Sequence, residues 1–119
     1  MPSYQVYENE LVYAFLDINP VQPGHVLVVP KIEVDQFMDV PEEYYTEVFR
    51  VAKIIATAQK QTMGCDRVCT KVEGFDVPHF HYHLIPANSA HDFEAAPKSL
   101  SKEMMEQIQS KIASAIAQY

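Results

Sequence analysis

Apolar and polar residues alternate over residues 3 to 8, Ser-Tyr-Gln-Val-Tyr-Glu, and a second run rich in aromatic and branched residues covers 11 to 18. Asn9-Glu10 between them reads as a turn, so the two runs predict a β-hairpin. Asn19-Pro20 and Pro23-Gly24 are turn signals that deliver the chain to His25-Val-Leu-Val-Val-Pro30, a third strand closed by proline. The period then changes. Tyr44, Val48, Val51, Ile55 and Ala58 recur at steps of four and three, an apolar stripe that predicts a long helix lying on a sheet. Pro41 suits its first position, Glu42 and Glu43 the positive end of its dipole, and Gly64 its stop. Residues 67 to 72 predict a fourth strand, 73 to 76 a loop, and the run beginning at His79 a fifth strand. Residues 87 to 99, rich in Ala, Asn, Ser, Asp and Pro, predict a loop holding His91. A second helix starts near Ser101 with Met105, Ile108, Ile112, Ile116 and Tyr119 on one side. The expected architecture is α+β: a five-stranded, mainly antiparallel sheet with one long central helix and a C-terminal helix.

The chain has 119 residues, enough for one domain with a real core, and residues 1 to 119 are expected to form that single domain. A composition 48% hydrophobic and 21% charged is globular. The net charge of -7 weighs against nucleic acid or an anionic membrane as partner, since both need clustered Lys and Arg. No apolar run approaches the ~20 residues of a membrane span, and the N-terminus lacks a basic-then-apolar leader, so a cytoplasmic location is expected. Cys65 and Cys69 are four apart, which fits neither a redox motif nor a disulfide framework, and they read as reduced thiols.

Three of the five histidines, His79, His81 and His83, fall on alternate positions. On a strand they share one face, with Phe80, Tyr82 and Leu84 on the other, and neighbouring imidazoles sit about 6.5 to 7 Å apart. Histidine near neutrality serves as nucleophile, acid, base or ligand. A zinc site using two of these with His25 or His91, or one built from His79, His81 and His25, is one reading. Consecutive strand positions spread far for three bonds of ~2 Å, however, and an extended row matches a phosphate chain better. In that second reading the middle ring, His81, attacks phosphorus while its neighbours donate hydrogen bonds. The attacking nitrogen must be unprotonated while a neighbour is a donor.

His79-Phe-His81-Tyr-His83-Leu-Ile resembles the signature of the histidine triad (HIT) family of nucleotide hydrolases and transferases, in its short, Hint-like bacterial branch. Phe15-Leu-Asp17-Ile18-Asn-Pro20 and Pro23-Gly24-His25-Val-Leu-Val-Val-Pro30-Lys31 resemble that family's other two signatures, in the same order. The resemblance, which covers roughly residues 4 to 86, implies a homodimer and cleavage at the α-phosphate of a small purine nucleotide through a nucleotidyl-histidine intermediate, with no metal and no cofactor. It implies His81 as nucleophile, His83 as phosphate contact, and His79 and His25 as supporting histidines. Asp17 would bind ribose, Phe15 and Ile18 would pack on the base, and Val77 would be a further nucleotide contact. From the residues alone, Asp17 reads rather as a turn cap before Asn19-Pro20, and Phe15 and Ile18 as core.

The chain departs from the family in the loop Val72-Glu73-Gly74-Phe75-Asp76-Val77-Pro78, where Asp76 would repel phosphate unless it meets the amine of a leaving group, and in Ala87, where an Arg is common. The expected activity is a nucleotide phosphoramidase or nucleotidyl hydrolase. The alternatives are a dinucleoside polyphosphate hydrolase and a nucleotide-binding relative with little catalysis.

Overall fold

Helix α1, Glu42–Met63, buries the predicted stripe: Val48, Val51, Ile55 and Ala58 are inaccessible to solvent, and Tyr44 is half-buried. Pro41 is its N-cap, one position earlier than expected, and Gly64 ends it in the left-handed conformation with φ 65°. The protein is described by a computed structural model over residues 4–75 and 77–119. Ser3 of the first predicted strand and Asp76 of the predicted loop lie outside the described residues.

Five strands form one antiparallel sheet: β1 Gln5–Glu8, β2 Val12–Leu16, β3 Val26–Pro30, β4 Arg67–Val72 and β5 Tyr82–Ala87, ordered β1-β2-β3-β5-β4. The Asn9 side chain closes the first hairpin by accepting from the N–H groups of Leu11 and Val12 at 2.9 and 3.0 Å. Alternation sorts the sheet into two faces. Val12, Ala14, Leu16, Val26, Val28 and Leu84 join the α1 stripe and Met105, Ile108, Ile112 and Ile116 of helix α3, Lys102–Ile116, in one core. Tyr13, Phe15, Leu27, Val29 and His83 look the other way, so both long helices cover one face and leave the second to the histidines.

Three expectations need correction. The fifth strand starts at Tyr82, so His79 to His81 form an irregular lead-in. Its backbone hydrogen bonds run elsewhere: Phe80 N–H donates to Val34 O at 2.8 Å and His79 N–H to Val77 O at 2.8 Å. The pairing with β4 ends where that strand ends, at Val72 opposite Tyr82, and the pairing with β3 stops at Val28 opposite Tyr82 although β3 runs on to Pro30. The predicted loop over 87 to 99 contains a one-turn helix, α2 Ala90–Phe93, capped by the Ser89 hydroxyl, and His91 on it is exposed. Tyr119 lies beyond α3 and is 62% exposed rather than on its buried side. Ser101 does cap α3, accepting from Met104 N–H at 3.1 Å. Among the described residues no helix is long and apolar enough to cross a membrane.

Candidate active site

On the helix-free face, β2 and β3 present Tyr13, Phe15, Leu27 and Val29 to a cleft of about 320 Å³ whose other walls are Val77, His79 and His81. That volume lies at the lower end of small-ligand sites. The rings of Tyr13 and Phe15 stack with centroids 5.3 Å apart. Phe15, Val77, His79 and His81 are therefore brought together in one cleft. Ile18 is 49% exposed and outside this lining. Tyr13, Leu27 and Val29 escaped the sequence reading, although each shares its strand parity with Phe15 or His83.

Behind the cleft, fixed backbone groups set the protonation of the imidazoles. Val21 N–H donates to Nδ1 of His25 at 3.0 Å, so that nitrogen carries a lone pair and the proton of neutral His25 sits on Nε2. His25 Nε2 lies 2.9 Å from Nδ1 of His83, which must then be the acceptor. The proton of His83 is consequently on Nε2, a buried atom with no partner among the described residues. His81 is fixed in the opposite sense. Its Nδ1 lies 2.6 Å from the His79 carbonyl oxygen, an obligate acceptor, so Nδ1 carries the proton and Nε2 the lone pair.

The irregular lead-in swings the His81 ring toward His83 until their centroids are 4.8 Å apart, closer than a regular strand would hold them. In the neutral form of His81 its Nε2 lone pair and the Nε2–H of His83 thus belong to adjacent rings.

Burial keeps the inner rings neutral. Desolvation first, then the charges of His83 and Lys71, lowers His25 from 6.5 to about 3. Desolvation, followed by His81 and Lys71, lowers His83 to about 4. Asp17 acts as the turn cap, its Oδ1 accepting from Asn19 N–H at 2.9 Å, and its Oδ2 lies 3.8 Å from His25 Nε2. Desolvation raises its pKa, opposed by that hydrogen bond and by the charges of His81 and Lys71. Gln59, buried on α1, donates from Nε2 to Gly24 O at 2.8 Å and Leu84 O at 3.0 Å, the residues next to His25 and His83.

Among the described residues, two groups, Asp17-His25-His83 and Glu73-His81-His83, bring one potential ligand atom each within 4.8 Å of one another. The expected alternative of His79, His81 and His25 is neither of these. Coordination through His83 Nε2 would need the lone pair that the His25 hydrogen bond places on Nδ1, and shifting it would set two N–H groups against each other. The tautomers therefore suit an anion better than a cation at His83.

The family model for the HIT domain matches residues 1–90. Adenosine 5′-monophosphoramidase HNT1 of Saccharomyces cerevisiae is 38% identical over 87 residues, 72% of this chain and 55% of that protein. The chain thus matches about half the length of the yeast protein. Bis(5′-adenosyl)-triphosphatase of Dictyostelium discoideum is 32% identical over 93 residues, 74% of this chain and 62% of that protein. The crystal structure of a Hit-like protein from Bartonella henselae superposes with a TM-score of 0.84 at 31% identity, covering 97% of this chain and 88% of the other.

Proposed function

This chain belongs to the HIT domain family, and from that premise we propose that it is a nucleotide phosphoramidase, hydrolysing the P–N bond at the α-phosphate of a small purine nucleotide. The observation that carries the reading is the pairing of opposite tautomers, the His81 lone pair beside the His83 N–H, next to an apolar cleft that His81 lines. The base packs on Phe15 and Val77, with Ile18 at the outer edge, and Asp17 receives the ribose hydroxyls.

His81 Nε2 forms a bond to phosphorus as the bond to the leaving amine breaks, and the amine nitrogen takes its proton from water. The ring becomes a nucleotidyl-imidazolium whose positive charge is spread onto the Nδ1–H held by the His79 carbonyl. His83, neutral at pH 7, donates its Nε2–H to a phosphate oxygen as charge builds there, and acts as a hydrogen-bond donor rather than a proton source. In the second step hydroxide or water attacks phosphorus, His81 leaves with its lone pair restored, and the products are the nucleotide and the free amine. One water is consumed overall.

Amine release from an adenosine phosphoramidate by the wild type and by His81→Ala tests this reading. Release is lost in the variant; equal rates would remove His81 from the chemistry. A second reading, dinucleoside polyphosphate hydrolysis, draws on the likeness to the Dictyostelium triphosphatase and differs only in the leaving group. Product analysis separates the two.

The active form is further proposed to be a homodimer. Strand β4 is an open edge, and beside it Phe37, Met38, Tyr45, Phe49, Val72 and Phe75 are all substantially exposed. They are contiguous: Tyr45 packs on Phe49 and Phe49 on Tyr82, with centroids 5.1 and 4.9 Å apart, while Tyr82 pairs with Val72. Such a patch beside an unpaired strand suits a second copy of the same surface.

A further inference from the structure

Strand β4 runs antiparallel to β5 with Lys71 opposite His83 and Val72 opposite Tyr82. Side chains alternate, so Lys71 and, one step past the strand end, Glu73 project from the face that carries the histidines. Glu73 is half-buried, and one of its carboxylate oxygens lies within 4.8 Å of a ring nitrogen of both His81 and His83. A negative charge therefore stands beside the two rings that meet the phosphoryl group, where anion chemistry alone calls for donors. Lys71, whose charge also reaches His83, is not paired with this carboxylate. Its ammonium is turned toward α2, 5.9 Å from the centroid of the Phe93 ring.

We propose that Glu73 is a specificity-determining residue that selects phosphoramidates whose leaving amine carries a positive charge and disfavours polyphosphate leaving groups. The proposal rests on the phosphoramidase reading of the site and names the leaving-group class within it. A second phosphate leaving from the α-phosphorus brings two or more negative charges toward this carboxylate, whereas an aminoalkyl leaving group brings a cation. In a partly desolvated setting a unit charge a few ångströms away shifts an equilibrium by about ten-fold or more. No other carboxylate among the described residues lies this close to both His81 and His83.

The test compares two near-isosteric substrates, the N-(2-aminoethyl) and N-propyl phosphoramidates of AMP, together with diadenosine triphosphate, on the wild type and Glu73→Gln. The ratio of kcat/KM for the aminoethyl over the propyl compound falls at least about ten-fold from wild type to variant. Comparing the same ratio in the two proteins cancels the intrinsic reactivity of each amine. Turnover of diadenosine triphosphate rises in the variant. Equal ratios in the two proteins, with turnover still dependent on His81, would overturn the role of Glu73 and leave the phosphoramidase reading standing. If the wild type turns over none of the three, that reading fails, and calorimetric binding of the two phosphoramidates decides the inference. Selectivity for the aminoethyl compound that disappears in Glu73→Gln sustains it, and equal selectivity in both proteins overturns it. Thermal melting of Glu73→Gln, a near-isosteric change at a half-buried position, establishes that both proteins are folded.

Discussion

His25 Nε2 lies 2.9 Å from His83 Nδ1, and both rings are buried. Because Val21 N–H occupies the other nitrogen of His25, this contact has one direction, and it turns the proton of His83 outward. A backbone amide two imidazoles away thus decides which atom of His83 a phosphate meets.

Removing His25 frees His83 to adopt the other tautomer and so to present a lone pair to the phosphate. His25→Ala is expected to lower kcat by about ten- to a hundred-fold while KM changes only a few-fold, as for other partners that orient a functional histidine. His25→Gln, which keeps a donor at a similar reach, recovers part of the loss. Steady-state kinetics on one phosphoramidate checks both.

The same pair makes stability depend on pH. His25 and His83 titrate at about 3 and about 4 in the folded protein, against 6.5 when unperturbed. Between these values the unfolded chain binds more protons than the folded one, so stability falls as pH drops below about 6.5. At pH 5, about 1.5 units below that value, each ring accounts for a loss of up to about 2 kcal/mol. Urea midpoints at pH 7 and pH 5 measure the effect, and His25→Gln should show a visibly shallower decline.

Gln59 ties α1 to β5, which carries His83, and to Gly24 beside His25, just ahead of β3. Gln59→Leu leaves the carbonyls of Gly24 and Leu84 without this donor, at a cost of about 1 to 3 kcal/mol. Loss of the buried Oε1, which has no partner among the described residues, offsets part of that cost. Urea unfolding gives the stability change. A fall in kcat at unchanged nucleotide affinity would show that the spacing of His25 and His83 has loosened.

Phe49 sits at the centre of the exposed aromatic run between Tyr45 and Tyr82. Phe49→Glu places a charge on that surface and is expected to convert a dimer of this chain into a monomer in sedimentation experiments. Its circular dichroism should match the wild type, because the side chain is 43% exposed in the single chain.

The fold was legible wherever one face of an element is buried and its period is therefore enforced. The α1 stripe, the Gly64 stop and the Ser101 cap are examples, each fixed by local geometry. The lead-in from His79 to His81 was not, because it is set by a contact from Phe80 to Val34, far away in the chain. Alternation set His79, His81 and His83 on one face and the family resemblance pointed to Phe15, but neither could locate Glu73. Placing Glu73 beside His81 requires the register of β4 against β5, and a slip of one residue would turn it to the opposite face. Asp76, the carboxylate singled out from the sequence, lies outside the described residues; the carboxylate found beside His81 and His83 is Glu73. The direction of the histidine chain likewise depends on Val21, whose contribution is a backbone N–H that no side-chain pattern reveals.

The central claim is that the His81 lone pair becomes covalently bonded to phosphorus. Quenching the wild type at alkaline pH during turnover of an adenosine phosphoramidate, followed by peptide mass spectrometry, tests it directly. The account predicts an added AMP on the peptide containing His81, located on that ring and absent from His81→Ala. Sustained turnover with the AMP on a different residue, or with no adduct at any time point, would contradict it.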